Sequence, residues 1–367
     1  MKRLFTLMFV MLLIQSTNSQ ETATEQPMGR LSGVFFMDYY YNLMRDPLHG
    51  ALSNTVLKGE QDVHGFQVRR IYLTYDYRFN SKFSSKLRLE SDEANFTSNL
   101  AGNKANKFGM FVKDAYIKWN YFGNHDIYVG IQGTPGFEVS ERVWGNRYIE
   151  KTIMDVRGIC PSRDIGLSFR GNIDPEGVLK YWIMVANGNA GLPEMDKYKR
   201  YYGHLEVNPV KNFIITLFAD YQSKSPIDNE FSPGQAIGND IFTTALLLGY
   251  RESAKYSFGI ETFYRKTENA VLLSDSYDDA EGIGYSVFAT YYFNENLNMY
   301  ARYDQFDPNL HKDALGDSRS LIIAGVAYKP APNFTISPNL FIETFEETDG
   351  QKIKNSVTPR VTALWSF

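Results

Sequence analysis

The sequence predicts an all-β fold: a transmembrane antiparallel β-barrel of about sixteen strands, with short periplasmic turns, long extracellular loops and an inward-folded third loop. Three observations predict it. The 367-residue chain repeats short runs of alternating apolar and polar residues along most of its length. The connections between those runs alternate between short and long. The chain also closes on such a run, Val361 to Phe367, with an aromatic carboxy-terminus.

Residues 1–20 carry a different pattern. Met1, Lys2 and Arg3 form a positive start, Leu4 to Ile14 an apolar stretch, and Gln15 to Gln20 a small polar segment suited to cleavage. An export signal over 1–20 and a single barrel domain over 21–367 are therefore expected. No cysteine follows the cleavage region, so a lipid anchor at a new amino-terminal cysteine is not expected. Beyond the signal no apolar run approaches the about 18 residues that a spanning helix needs; the densest is Ala245 to Leu248. Aromatic residues make up 15% of the chain, with 25 Tyr and 26 Phe, which suits the two interfacial girdles of a barrel. Loss of Lys2 and Arg3 leaves 36 basic residues against 42 acidic, a net charge of -6 in place of -4. That balance argues against nucleic acid as a partner. Cys160 is the only cysteine, which excludes an intramolecular disulfide and a cysteine-based metal cluster. Neither cofactor nor metal is expected.

Alternation and turn chemistry place strands near 31–42, 65–78, 83–92, 110–120, 125–133, 163–171, 178–187, 200–208, 213–222, 241–251, 256–265, 283–293, 297–306, 318–328, 333–346 and 355–367. Tight connections such as Asn80 to Lys82, Tyr121 to Asn124, Asp174 to Gly177 and Asn294 to Asn296 have the Asn, Gly and Pro chemistry of hairpin turns. Longer polar segments lie near 43–64, 93–109, 134–162, 188–199, 223–240, 266–282, 307–317 and 347–354. Short turns on one side and long loops on the other, with an even strand count, put both ends of the barrel at the periplasmic side.

The two faces of each strand differ in kind. Ile71, Leu73, Tyr75 and Tyr77 share one face; Arg70, Tyr72, Thr74, Asp76 and Arg78 share the other. Leu87 and Leu89 oppose Lys86, Arg88 and Glu90, while Ala115, Ile117 and Trp119 oppose Asp114, Tyr116 and Lys118. Lipid costs an Arg or Lys about 2–4 kcal/mol at the midplane, so the charged faces must line an aqueous interior. The expected pore wall is Arg70, Arg78, Lys86, Arg88, Asp114, Lys118 and Arg170. Later strands add Glu206, Asp220, Glu261, Asp304 and Glu343 against Arg265, Arg302 and Arg360. The tally is a mixed lumen with a basic wall, which favours anions weakly. The competing reading is that these charges pair across neighbouring strands and simply stabilise a wet barrel.

A barrel of this width leaves a water channel unless something folds into it. The longest connection, Thr134 to Ser162, is the candidate. It is expected to carry a short helix from Arg147 to Met154 capped by Asn146, and to narrow the pore with Glu138, Glu141, Arg142, Arg147, Glu150, Lys151, Asp155, Arg157 and the adjoining Arg163.

Five short stretches in order, Arg69 to Leu73, Lys113 to Tyr116, Val129 to Pro135, Ile149 to Lys151 and Ser162 to Leu167, resemble the phosphate-selective porin O and P family. The resemblance implies a trimeric sixteen-stranded outer-membrane porin whose third loop narrows the channel, with lysines and arginines guiding anions. It also implies small hydrophilic or anionic solutes as partners, a surround of outer-membrane lipid and lipopolysaccharide, and barrel-assembly machinery acting on the strand that ends at Phe367. Gln132 and Gly133 stand where the family pattern continues Phe-Lys, so a basic residue is missing beside the constriction and the solute stays open.

Two other classes compete. A hydrolase would need a nucleophile, a base and an orienting group. His204, mid-strand beside Glu206, is the best-placed histidine, and a Gly-x-Ser-x-Gly elbow is absent. An adhesion or binding barrel without an open channel could use Tyr198, Tyr201 and Tyr277 as a platform. The carboxylates from Asp275 to Glu281 lack the glycine and spacing of a calcium loop and read as a solvated acidic loop.

Overall fold

The computed structural model describes residues 27–92, 109–311, 314–347 and 352–367; the expected export signal and most of the second long connection lie outside them. Among the described residues, sixteen antiparallel strands close into one barrel. They are β1 (Met28–Tyr41), β2 (His64–Arg78), β3 (Phe83–Asp92), β4 (Phe111–Phe122), β5 (His125–Gly133), β6 (Arg163–Asn172), β7 (Leu179–Ala186), β8 (Arg200–Val207) and β9 (Phe213–Gln222). After a two-residue-per-strand hairpin, β10 (Ile227–Asp228) with β11 (Ala236–Ile237), come β12 (Ile241–Glu252), β13 (Tyr256–Leu272), β14 (Tyr277–Asn294) and β15 (Leu297–Asp307). The last three are β16 (Arg319–Ala331), β17 (Phe334–Phe345) and β18 (Ser356–Ser366). Each barrel strand pairs with its sequence neighbours, β9 with β12 across the small hairpin.

Closure joins β1 to β18, with Val34 opposite Ser366 and Tyr40 opposite Arg360. Gly33 and Phe367 exchange both backbone hydrogen bonds at 3.1 Å, and the Phe35 and Trp365 rings stack at 4.8 Å. Among the described residues the barrel strands leave no edge facing lipid, where an unpaired backbone group would cost several kcal/mol. Leu73, Leu87, Ile117, Val129, Leu217, Ile260, Val287, Ile322 and Val361 point outward as an apolar band.

Two expectations are corrected. Residues 266–272 and 277–282 are strand, leaving 273–276 as the connection: β13 and β14 run on past a register shift to pair Val271 with Asp278 and Leu272 with Tyr277. Their extension has water on both sides, so it needs no apolar face and lacks the alternation that marks the lower strand. The expected helix over Arg147 to Met154 does not form. Two others do, α1 (Glu138–Trp144) and α2 (Ile153–Val156). Gly145, at φ 72°, ends α1 in the left-handed conformation that glycine takes without strain. The Asn146 amide donates to the Trp144 carbonyl and the Thr290 hydroxyl and so caps nothing.

Candidate channel constriction

Residues 134–162, hereafter L3, fold into the barrel with two unlike faces. Val139, Val143, Trp144, Ile149, Ile153, Met154 and Ile159 are buried against inward side chains of the later strands, among them Leu247, Phe263, Phe288, Tyr300, Leu321, Ile323 and Phe341. Trp144 sits edge-on to Phe288 and Tyr300, with centroids at 5.5 and 5.8 Å, and its indole N–H donates to the Glu150 carbonyl. Gly249 makes room for this docking: a Cβ there would lie 3.0 Å from Val143. Each such side chain contributes about 1.5–3 kcal/mol by leaving water.

Wall arginines tie the L3 backbone down. Arg69 donates to the carbonyls of Ile149 and Tyr148, Arg302 to Lys151, Arg251 to Arg142, and Arg265 to Gly158 and Ile159. Arg302 and Arg265, expected to colour the lumen electrostatically, thus serve as stays. Buried carbonyls need partners, and a guanidinium on a rigid strand supplies several donors from one position.

The opposite face of L3 is polar and meets β2 to β6. There Arg70, Tyr72, Arg88, Lys118, Arg163 and Arg170 are partly exposed around buried acids, whereas on β12 to β17 the inward residues are largely buried. Two three-membered clusters occupy this open wall. Glu90 bridges Arg70, at 3.1 Å, and Lys113; Asp114 bridges Arg88, at 3.3 Å, and Arg163. Tyr72 lies between the clusters, with Arg70, Arg88 and Lys113 at 5.9, 5.5 and 5.2 Å from its ring centroid. Across from them on L3, Arg147 pairs with Glu141 and Asp155, and Lys151 with Asp155 at 3.5 Å. A cavity of about 240 Å³ lies beside Arg70, Glu90, Lys113, Lys151 and Arg163 and reaches Leu192 of the next long loop.

The sequence of residues 53–254, more than half of the chain, matches the family described as phosphate-selective porin O and P. The chain belongs to this family. It is an outer-membrane porin, and its barrel is the one the family resemblance implies. No curated protein matches it. Solved structures match at low identity and show the same fold. The outer membrane channel DcaP of Acinetobacter baumannii shares 11% identity at TM-score 0.67, over 95% of this chain and all of that one. The anion-selective porin from Comamonas acidovorans shares 13% at 0.63, over 93% and 100%. Salmonella typhi OmpF, in complex with daunomycin, shares 14% at 0.61, over 92% and 97%.

The remaining residues singled out in the sequence are placed as follows in this porin. Lys86 pairs with Asp76 at 3.4 Å, and Lys118 with Asp126 at 2.9 Å, lower on the open wall. Arg170 stacks on the Tyr128 and Trp182 rings and donates to Gln132. Arg78 ends β2 at the periplasmic rim, and Glu138 is exposed at the start of α1. The Glu150 carboxylate accepts the Lys151 N–H, a local bond rather than a contact across the pore. Arg142 pairs with Glu206, which also holds Lys180. Arg157 is corrected: its side chain is 1% exposed and pairs with Glu343 at 3.2 Å behind L3, so it is not a pore-lining group. The same Glu343 carboxylate accepts the N–H groups of Val56 and Leu57, so the first long loop, residues 42–63, also folds inward. Nothing in that loop's composition separates it from an external loop; the distant carboxylate, the burial of Leu57 and the Arg319 and Arg157 bonds to the Ser53 and Asn54 carbonyls draw it in. His204 lies under L3 beside Pro135, Phe137 and Ser140, and Tyr277 packs on Phe231 while Tyr201 points outward.

Sequence reasoning missed Lys113 and Arg69 as lumen groups. Register shifts between Phe36 and Met37 and between Arg88 and Leu89 leave Arg69 and Lys113 unpaired as bulges, which turn two consecutive side chains inward. The signal was present: the adjacent charges Arg69-Arg70 and Lys113-Asp114 break the alternation.

Proposed function

We propose that this porin is a passive, water-filled diffusion channel for small hydrophilic solutes with a weak preference for anions. The observation that carries the reading is the asymmetry of the lumen: L3 seals the later-strand side with apolar contacts, while the early-strand side keeps partly exposed cations, Arg88 at 26% and Arg163 at 22%, in front of acids that are nearly sealed. Cations in a narrow low-dielectric passage raise the local anion concentration. Glu138, Glu141, Arg147, Lys151 and Asp155 on L3, facing Arg70, Arg88, Lys113 and Arg163, would form the narrowest passage. Phosphate is one anion such a passage suits. The anion selectivity named for the Comamonas acidovorans porin fits the same reading. Residues 1–20 would be cleaved on export, the strand ending at Phe367 would be read by the barrel-assembly machinery, and the mature barrels would stand as homotrimers in outer-membrane lipid and lipopolysaccharide.

Purified protein in planar bilayers under a salt gradient tests this. Single-channel steps with a reversal potential displaced toward the anion side are expected, and phosphate, sulfate, nucleotides and sugars competing with chloride conductance identify the solute. A barrel without conductance steps would end the reading.

A further inference from the structure

The basic wall contains acids that do not face the channel. Glu90 and Asp114 are 1% and 3% exposed at their side chains, while the cations that cover them range from 8% to 26%. A solute passing along β2 to β6 therefore meets the Arg88 and Arg163 guanidinium groups of the Asp114 cluster first, while the Glu90 cluster, with Arg70 at 11% and Lys113 at 8%, is nearly sealed and is felt through its field. Each carboxylate takes one cation per oxygen: Arg70 on Oε1 and Lys113 on Oε2 of Glu90, Arg88 on Oδ2 and Arg163 on Oδ1 of Asp114. The bridged groups, two cations and one anion, give each cluster a single net positive charge, with Asp92 opposite Arg70 lining the cavity beside the Glu90 cluster. The pairs lower down the same wall, Lys86 with Asp76 and Lys118 with Asp126, are neutral. Arg147 and Lys151 on L3 are likewise balanced by Glu141 and Asp155. Tyr72 lies within reach of cations from both clusters.

We propose that Glu90 and Asp114 are specificity-determining residues that act as brakes: from behind the cations they hold each cluster at one net charge and so keep the channel's anion preference weak. A purely structural role for these carboxylates would make the wall's selectivity follow cation placement alone. A brake makes it follow net charge. The inference rests on the anion-channel reading above and deepens it. Charge in a partly hydrated passage is felt over several ångströms at an effective dielectric between those of protein and water, so one added net charge is expected to change the anion-to-cation permeability ratio by roughly two- to fivefold.

The test uses full-length protein in planar bilayers with a potassium chloride gradient, and compares wild type with Glu90→Gln, Asp114→Asn and the double variant Glu90→Gln/Lys113→Gln. Folding of each is checked by heat-modifiable gel mobility. The single variants raise their clusters to two net charges and should shift the reversal potential toward the anion side, with the permeability ratio up roughly two- to fivefold. The double variant returns its cluster to one net charge through Arg70 and should regain the wild-type reversal potential. If a single variant fails to fold, Arg88→Gln and the double variant decide, because Arg88→Gln neutralises its cluster and should lower the ratio while the double variant leaves it unchanged. Folded single variants with the wild-type reversal potential, or a double variant displaced like the single one, would overturn the brake. A cation-selective wild type whose Glu90→Gln form still moves toward anions would support the brake and overturn the anion reading; absence of conductance would overturn the pore itself.

Discussion

The walls built by β2 to β6 and by β12 to β17 face the same lumen and do opposite things. On the later strands the inward residues Leu247, Phe263, Phe288, Leu321, Ile323 and Phe341 are buried in apolar clusters with L3, threaded by the buried charges Glu261, Arg302, Asp304 and Glu343. On the early strands the inward residues are polar, and while Glu90, Asp114 and Gln132 are buried, Tyr72, Arg88, Lys118, Arg163 and Arg170 stay partly exposed. A loop entering a wide barrel needs one wall to dock against and leaves the channel to the other. The difference teaches that inward charge in this barrel is placed in two ways: the arginines that reach L3 carbonyls anchor it, and those bridged by Glu90 and Asp114 stand on the wall along which we propose the passage runs.

The docking side breaks with the largest effect. Trp144→Ala should cost about 3–5 kcal/mol of L3 seating, because the surrounding wall cannot collapse to fill the gap. Raised, noisier single-channel conductance and faster proteolysis within 134–162 are the expected readouts, and unchanged conductance would show that L3 is held by its arginine stays alone. Next comes Glu343→Gln, which leaves Arg157 buried without its counter-ion and weakens the hold on Val56 and Leu57, at a cost of about 3 kcal/mol. It should loosen the first and third loops together, seen as protease sensitivity of both; loosening of one alone would separate them. On the open wall Tyr72→Leu removes the ring beside three cations, for about 1 kcal/mol in total. Conductance should change little while current noise at the constriction rises.

The smallest effect lies above the docking side, in the loop before β16. Burial, with Asp307 and Glu346 nearby, pushes the Asp317 carboxyl up to about 6. The neutral form is therefore favoured in the folded loop. Its contribution to stability is complete below the ordinary aspartate pKa, near 4, and is lost as pH rises through about 6. The protection of the Gly316 and Ser318 amides, whose N–H groups bind Glu346, should fall over that interval when exchange is measured relative to the intrinsic rate at each pH. Asp317→Asn should abolish the pH dependence; an unchanged profile in that variant would assign it elsewhere.

Much of the barrel was legible because its determinants are local. Phe83–Asp92, His125–Gly133 and Phe213–Gln222 have the bounds that alternation and turn residues predict. The site was less legible because its determinants are contacts between distant residues. Arg157 reads like any loop cation until Glu343, 186 positions away, takes it out of the passage. The later wall left a trace that alternation alone does not interpret: Leu246-Leu247-Leu248 and Leu321-Ile322-Ile323 are apolar on both faces, as a wall covered by lipid outside and by a loop inside must be.

By itself the sequence determined the strand count, the short and long alternation of the connections and the closing strand at Phe367, because period-two patterning and turn chemistry act over a few residues. Only the tertiary structure decided which half of the lumen is open. That depends on register shifts between strands, on where the L3 apolar face finds a matching wall, and on which charges meet once sixteen strands are curved around it.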